Sequence, residues 1–142
     1  IAGKMRDRKF LAVKGAYGKM VEDQPGNVEK MPNLEDVRKA YRKTKILIMP
    51  SRYETWGRTA AEAMCSGIPV IAHPTPGLKE CLGEAGRFVP FHHLPSWIEA
   101  IEEVEASYDE WSKKAILRAQ EIGKQTEADL KTFRDYLTSI CG

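Results

Sequence analysis

The stretch from Ile46 to Ala72 constrains the fold of this chain more than any other part of it. Ile46-Leu-Ile-Met49 is a short continuous apolar run, the form taken by a strand buried on both faces of a parallel sheet. Ile68 to Ala72 is a second such run, entered through Ser66-Gly67, a pair suited to ending a helix. Between the two, Thr59 to Met64 is rich in Ala and poor in β-branched residues, as a helix requires. The stretch therefore reads as strand, loop, helix, turn, strand. In an open α/β sheet, ligands bind beyond the carboxyl ends of the strands, and Glu54, Trp56 and Gly57 fall there. Gly57 lets a ligand approach the backbone, and the first-turn N–H groups of the helix can hold an anion. The layout suits a ligand that carries both hydroxyls and phosphate.

The remainder alternates in the same manner and points to one α/β domain. With 142 residues and 42% hydrophobic content, the chain can bury one ordinary core. A net charge of +2 from 22 basic and 20 acidic residues makes no case for nucleic acid or for a membrane surface. The apolar runs are too short to span a bilayer, and the polar N-terminus is no signal peptide. Cys65, Cys81 and Cys141 are odd in number and lack metal spacing, which fits a reduced cytoplasmic setting better than a disulfide framework. No repeat or low-complexity segment is present.

Helix signals frame the rest. Asn33 is a suitable N-cap for a helix with Leu34, Val37, Ala40 and Tyr41 on one face. Ser107-Tyr-Asp-Glu110 fits a capping box, opening a helix expected to stop near Gly123. Thr126 can cap a last helix bearing the apolar stripe Leu130, Phe133, Leu137 and Ile140. Residues from about 107 to 142 are thus expected to be carboxyl-terminal helices.

These residues also carry a family pattern. Pro50-Ser51, Glu54-x-x-Gly57, Glu62-Ala63-Met64 and Gly67-x-Pro69-Val70-Ile71 together resemble the signature of group 1 (family 4) retaining glycosyltransferases. The family's Glu-x7-Glu pair is matched by Glu54 and Glu62. Pro76-Gly77-Leu78-Lys79-Glu80 and Gly86-Arg87-Phe88-Val89 are similar to its next loop and last short strand. Lys9 to Gly15 and Asn27 to Val37 fit its second and third strands more loosely.

The resemblance implies the carboxyl-terminal, donor-binding half of a two-domain GT-B enzyme. On that basis residues 1–142 form a single α/β, three-layer Rossmann-like domain with a mostly parallel sheet. The chain lacks an initiator Met, and the resemblance leads us to expect a piece of a longer protein. It also starts late. The family's first strand, with the Arg and Lys that neutralise the donor diphosphate, has no counterpart, since Gly3 to Lys9 is nearly all polar and Arg6, Arg8 and Lys14 do not match the spacing. In a sheet of order 3-2-1-4-5-6 the first strand is central, so its loss leaves two unpaired edges. Outside residues could fill the gap, the remaining strands could re-pair, or a second copy could contribute.

Residue by residue, the resemblance places Glu62 on the ribose hydroxyls, where a carboxylate accepts two hydrogen bonds. The alternative is a solvated helix glutamate. Glu54 would face the hydroxyls of the transferred sugar or stabilise positive charge at the anomeric carbon, against an alternative as a helix-capping loop carboxylate. The N–H groups of Gly57, Arg58 and Thr59 would hold the sugar and diphosphate, with Arg58 either adding a phosphate contact or remaining a surface residue. Trp56 occupies an aromatic position of the loop, where packing beneath it competes with donor contact. Gly77 starts a turn lining the sugar pocket. His73, at the ligand-facing edge after the second strand, reads as structural. His92 and His93 diverge and make a poor metal pair. Gly15 and Gly18 weakly resemble a Gly-rich turn, and Met31 and Pro32 fall near the base-binding edge, with packing the plainer account.

The implied reaction is sugar transfer from a nucleotide-sugar to an acceptor hydroxyl with retention, without metal or cofactor. The acceptor-binding amino-terminal domain is absent from this chain, so the chain alone is expected to bind donor weakly and transfer nothing detectable. A cytoplasmic location, at a membrane's inner face or away from it, is expected; peripheral membrane contact through missing parts and a homodimer stay open. Two other readings remain. One is a non-catalytic nucleotide-sugar-binding module. The other is a glycoside hydrolase using Glu54 and Glu62 as acid and base.

Overall fold

The computed structural model describes residues 1–13, 24–32 and 35–141. Lys14, Gly15, Gly18, Asn33 and Leu34 lie outside these residues, and so do the Gly-rich turn and the N-cap expected of them. The described strands are β1 (Phe10–Val13), β2 (Val28–Met31), β3 (Leu47–Met49), β4 (Val70–Ala72) and β5 (Gly86–Phe88). The helices are α1 (Arg38–Tyr41), α2 (Arg58–Cys65), α3 (Pro76–Leu82), α4 (Leu94–Ala106) and α5 (Tyr108–Cys141). A 3-10 turn, Ala2–Lys4, precedes β1, and another, Gly83–Ala85, joins α3 to β5.

Every pairing is parallel. Phe10 lies opposite Val28, Ile48 opposite Ile71, and Ile71 opposite Arg87. The strands form two groups, β1-β2 and β3-β4-β5. Among the described residues β1 and β3 do not pair, so the remaining strands do not close ranks. These two edges are the ones a missing central strand would flank.

Strand alternation sorts the side chains into two cores, one on each face of the sheet. Val70 and Ala72 pack with Met49, Ala60, Ala63, Met64, Leu78 and Leu82, beneath α2, α3 and the first turns of α5. Ile71 points the other way, into a core of Met5, Val89, Trp97, Ala100, Ile101 and Val104 contributed largely by α4. Phe10, Ile46 and Ile48 join this second core, so β1 and β3 serve the same face despite the gap between them. The result is the expected three-layer α/β arrangement.

Helix ends show where local signals hold and where they fail. After α2, the Gly67 N–H reaches the Met64 carbonyl and the Ile68 N–H reaches the Ala63 carbonyl, with Gly67 at φ 69°. This is the Schellman arrangement that Ser66-Gly67 suggested. Ser112 of α5 donates to the Gly67 carbonyl at 2.7 Å and ties the two helices together. By contrast, α1 is a single turn. Asp36 accepts the Arg38 N–H at its start, Ala40 is buried, and Val37 stays 45% exposed. The capping box at Ser107 is replaced by another pairing: the Glu110 N–H donates to the Ser107 carbonyl, and the Glu110 carboxylate pairs with Lys114 at 2.7 Å.

The expected stop at Gly123 does not occur. One helix runs from Tyr108 to Cys141, and Thr126 is no cap: its hydroxyl donates to the Ile122 carbonyl at 2.9 Å within the helix. A single interior Gly costs a helix only about 1 kcal/mol, which good helix formers on both sides can absorb. A Cβ added at Gly123 would meet nothing within 4 Å. Gly123→Ala is therefore expected to stabilise the chain by about 0.5–1 kcal/mol, read as a raised urea midpoint. A lowered midpoint would contradict a continuous, exposed helix. Past Ile122 the helix is exposed throughout its described side chains, including Leu130 at 49% and Phe133 at 57%. The apolar stripe has no partner among the described residues.

Candidate functional site

The loops after β3 and β4 meet at the carboxyl ends of these strands. Thr75 caps α3 by accepting the Leu78 N–H at 3.2 Å, with Pro76 at the first helical position. Gly77 follows, buried, and lies within the first turn of this helix where a turn lining the sugar pocket was expected to start. A Cβ there would stand 2.1 Å from the Thr55 carbonyl oxygen and 2.8 Å from that of Glu54. Only Gly lets the start of α3 lie against the Glu54 loop. On the other side of that loop, Gly57 caps α2 in the left-handed region at φ 99°. A side chain at Gly57 would also strike Leu78 Cδ2, 2.7 Å away.

Between the loops opens a cavity of about 450 Å³ lined by Arg52, Tyr53, Glu54, Thr55, Thr75 and Pro76. Glu54 is half-buried and its Oε1 accepts the Thr55 N–H at 3.1 Å. Arg52 sits with its guanidinium 4.6 Å over the ring of Phe91, a cation–π contact that steers it along the rim. Phe91 in turn donates its backbone N–H to His73 Nδ1 at 3.1 Å. His73 is thus held structurally, with Nε2 left to carry the ring proton when neutral. His92 packs on Phe91 while His93 caps α4 through Ser96, so the two histidines do diverge. Among the described residues no three His, Cys, Asp or Glu side chains gather as a metal ion would need.

The first turn of α2 carries Arg58 and Thr59, both exposed, and its leading N–H groups have no carbonyl within the helix to receive them. Trp56 lies on the loop before it and is 36% exposed, so most of its ring is covered while one edge reaches solvent. Glu62 lies one turn further along and does not line the cavity that Glu54 lines. Its surroundings are different. The Tyr41 hydroxyl donates to Glu62 Oε2 at 2.9 Å, and Arg58 Nε stands 3.5 Å from Oε1. Burial first, and then the bond to Glu62, push the Tyr41 hydroxyl well above its ordinary range, so it remains a donor at neutral and mildly alkaline pH. Met31 is half-buried at the end of β2 and Pro32 is exposed.

The structure therefore brings Glu54, Gly57 and Gly77 around one loop and sets Glu62 on the adjoining helix face with Arg58. Tyr41 is the partner of Glu62 that sequence reasoning passed over. It was legible only as one apolar position of α1, and nothing local ties it to a carboxylate in another helix.

The sequence model described as glycosyl transferases group 1 matches residues 1–106. A D-inositol 3-phosphate glycosyltransferase from Pseudarthrobacter chlorophenolicus is 33% identical over 108 residues, covering 70% of this chain and 25% of that protein. Its counterpart from Paenarthrobacter aurescens is 29% identical over 107 residues, with 72% and 26% covered. The chain thus spans about a quarter of the length of these curated relatives. Among solved structures, a sucrose-phosphate synthase from Thermosynechococcus elongatus superposes with a TM-score of 0.66 at 25% identity, over 80% of this chain and 31% of that one. A glycosyltransferase from Rickettsia africae, 19% identical, shares the fold with a TM-score of 0.65 over 79% and 32%.

Proposed function

This chain belongs to the group 1 glycosyl transferases, and on that footing we propose that it is the donor-binding part of an enzyme moving a sugar from a nucleotide-sugar to an acceptor hydroxyl with retention. The observation that carries the reading is the close approach of Gly77 to the Thr55 carbonyl, which sets two loops around a cavity at the carboxyl ends of β3 and β4. Glu62 would accept the ribose hydroxyls. The N–H groups of Gly57, Arg58 and Thr59 would face the diphosphate and sugar at the start of α2, and Trp56 would flank the donor on the loop. Glu54 would face the transferred sugar and the positive charge that builds at its anomeric carbon. Gly77 contributes by position, holding the loop. The nucleoside diphosphate would leave on the face from which the acceptor attacks, its charge stabilised by the helix N-terminus and basic groups.

The reading calls for no metal or cofactor. The acceptor would be held by an amino-terminal domain outside this chain, and residues 1–142 would constitute the donor domain, inactive alone. Among the described residues no helix is long and apolar enough to cross a membrane. Hydrolysis by a carboxylate pair would need both groups flanking one bond, and Glu62 lies outside the cavity that Glu54 lines. A non-catalytic binding module is favoured by one feature: among the described residues Arg52 is the basic side chain lining the cavity, where an Arg–Lys pair was wanted. An assay for free nucleoside diphosphate with and without acceptor separates the two once the acceptor domain is supplied.

The direct test is calorimetric titration of the chain with UDP, GDP and ADP. One of them should bind saturably, and Glu62→Ala should weaken it by about a hundredfold, the worth of two charge-assisted hydrogen bonds reduced by partial solvent compensation. Equal affinity in the mutant would remove Glu62 from the site.

A further inference from the structure

We propose that Tyr41 is a positioning residue for nucleotide recognition: its hydroxyl locks the Glu62 carboxylate in the orientation that receives a ribose diol. The inference rests on the assignment of Glu62 to the ribose and goes beyond it. A glutamate on a helix face has three soft side-chain torsions, and ordering them on binding costs conformational entropy. Tyr41 removes much of that freedom beforehand. Its ring packs on the core beneath α2, so the hydroxyl is carried by a fixed platform. The hydroxyl has one proton and two acceptors in reach, Glu62 Oε2 at 2.9 Å and the Thr59 carbonyl at 3.3 Å. The shorter, charge-assisted contact takes it.

The two carboxylate oxygens are therefore unequal. Oε2 is held by the half-buried phenol. Among the described residues Oε1 faces only Arg58 Nε, at 3.5 Å, and the Arg58 side chain is 89% exposed. Such a pair is worth little and yields readily to a better partner. A carboxylate anchored on one oxygen and loosely covered on the other can accept two adjacent hydroxyls without first reorganising. As the diol takes Oε1, the Arg58 side chain is freed for the diphosphate that would lie at the N-terminus of α2. Pre-organisation is thus coupled to a cation that changes partner.

Calorimetry on the 142-residue chain tests this with Tyr41→Phe, Glu62→Ala and the double variant, using UDP, GDP and ADP, the 2′-deoxy analogue of whichever binds, and inorganic pyrophosphate. Phenylalanine keeps the ring and removes only the donor. Tyr41→Phe should weaken the nucleotide about tenfold, shrink its preference over the 2′-deoxy analogue, and leave pyrophosphate unchanged. In the Glu62→Ala background it should cost nothing further, because the two side chains act as one unit. Binding that falls in Glu62→Ala but not in Tyr41→Phe overturns the inference and spares the ribose assignment. Equal losses for Tyr41→Phe in both backgrounds, or a parallel loss for pyrophosphate, would mean a merely structural tyrosine and also overturn it. A wild-type chain that binds none of the three nucleotides overturns the ribose assignment and the inference together.

Discussion

Gly77→Ala is expected to lower the stability of the chain by about 3 kcal/mol or more and to abolish nucleotide binding, a large effect for one methyl group. The cause is where the methyl must go. A Cβ at Gly77 falls 2.1 Å from the Thr55 carbonyl oxygen and 2.5 Å from its carbon, so the obstacle is backbone. Neither side can yield cheaply. The helix that carries Gly77 is pinned by the Thr75 cap and by Leu78, Cys81 and Leu82, all fully buried. The loop opposite is fastened between β3 and α2, and it carries Glu54. Moving the loop would open the cavity between Thr55 and Thr75, and moving the helix would tear buried contacts. Urea unfolding of Gly77→Ala beside Gly26→Ala checks this, since a Cβ at Gly26 meets nothing within 4 Å. Indistinguishable midpoints for Gly77→Ala and the wild type would refute the close approach.

Trp97→Ala is expected to cost about 3–5 kcal/mol, enough to bring a domain of ordinary stability near its unfolding threshold. Trp97 is 2% exposed and anchors the core beneath α4, among Met5, Ile71, Val89, Ile101 and Val104. Its indole Nε1 donates to the Pro90 carbonyl at 3.1 Å, so truncation leaves both a cavity and an unanswered acceptor. A thermal midpoint lowered by about 10 °C is the expected readout for a chain of this size. Trp97→Phe should recover part of the loss by refilling the space, though not the hydrogen bond. A drop of under about 3 °C for the alanine variant would show that the α4 face carries little of the stability.

Much of the fold was legible because its signals are local. The apolar runs became β3 and β4, the Ala-rich stretch became α2, and Ser66-Gly67 ended it. Gly86-Arg87-Phe88 became β5, as the family pattern implied. Where the reading failed, a weak local signal was outweighed by length or by tertiary contact. Gly123 looked like a stop, yet its cost is small beside the helix formers around it. Ser107 looked like a box partner, yet Glu110 had Lys114 one turn away. Helix α4, which builds half the core, was not anticipated at all, and Trp97 with it.

The sequence alone determined the α/β class, the parallel strands around α2, and the placing of Glu54, Trp56 and Gly57 on the loop beyond a strand end. Each of these is written within a few neighbouring residues, by period, propensity or capping chemistry. Only the tertiary structure decided that β1 and β3 share a face without pairing, that Gly77 lies against Thr55, and that Tyr41 grips Glu62. Those contacts join residues from different elements. No local preference encodes them, because their geometry exists only once the helices have packed on the sheet and fixed the distances between them.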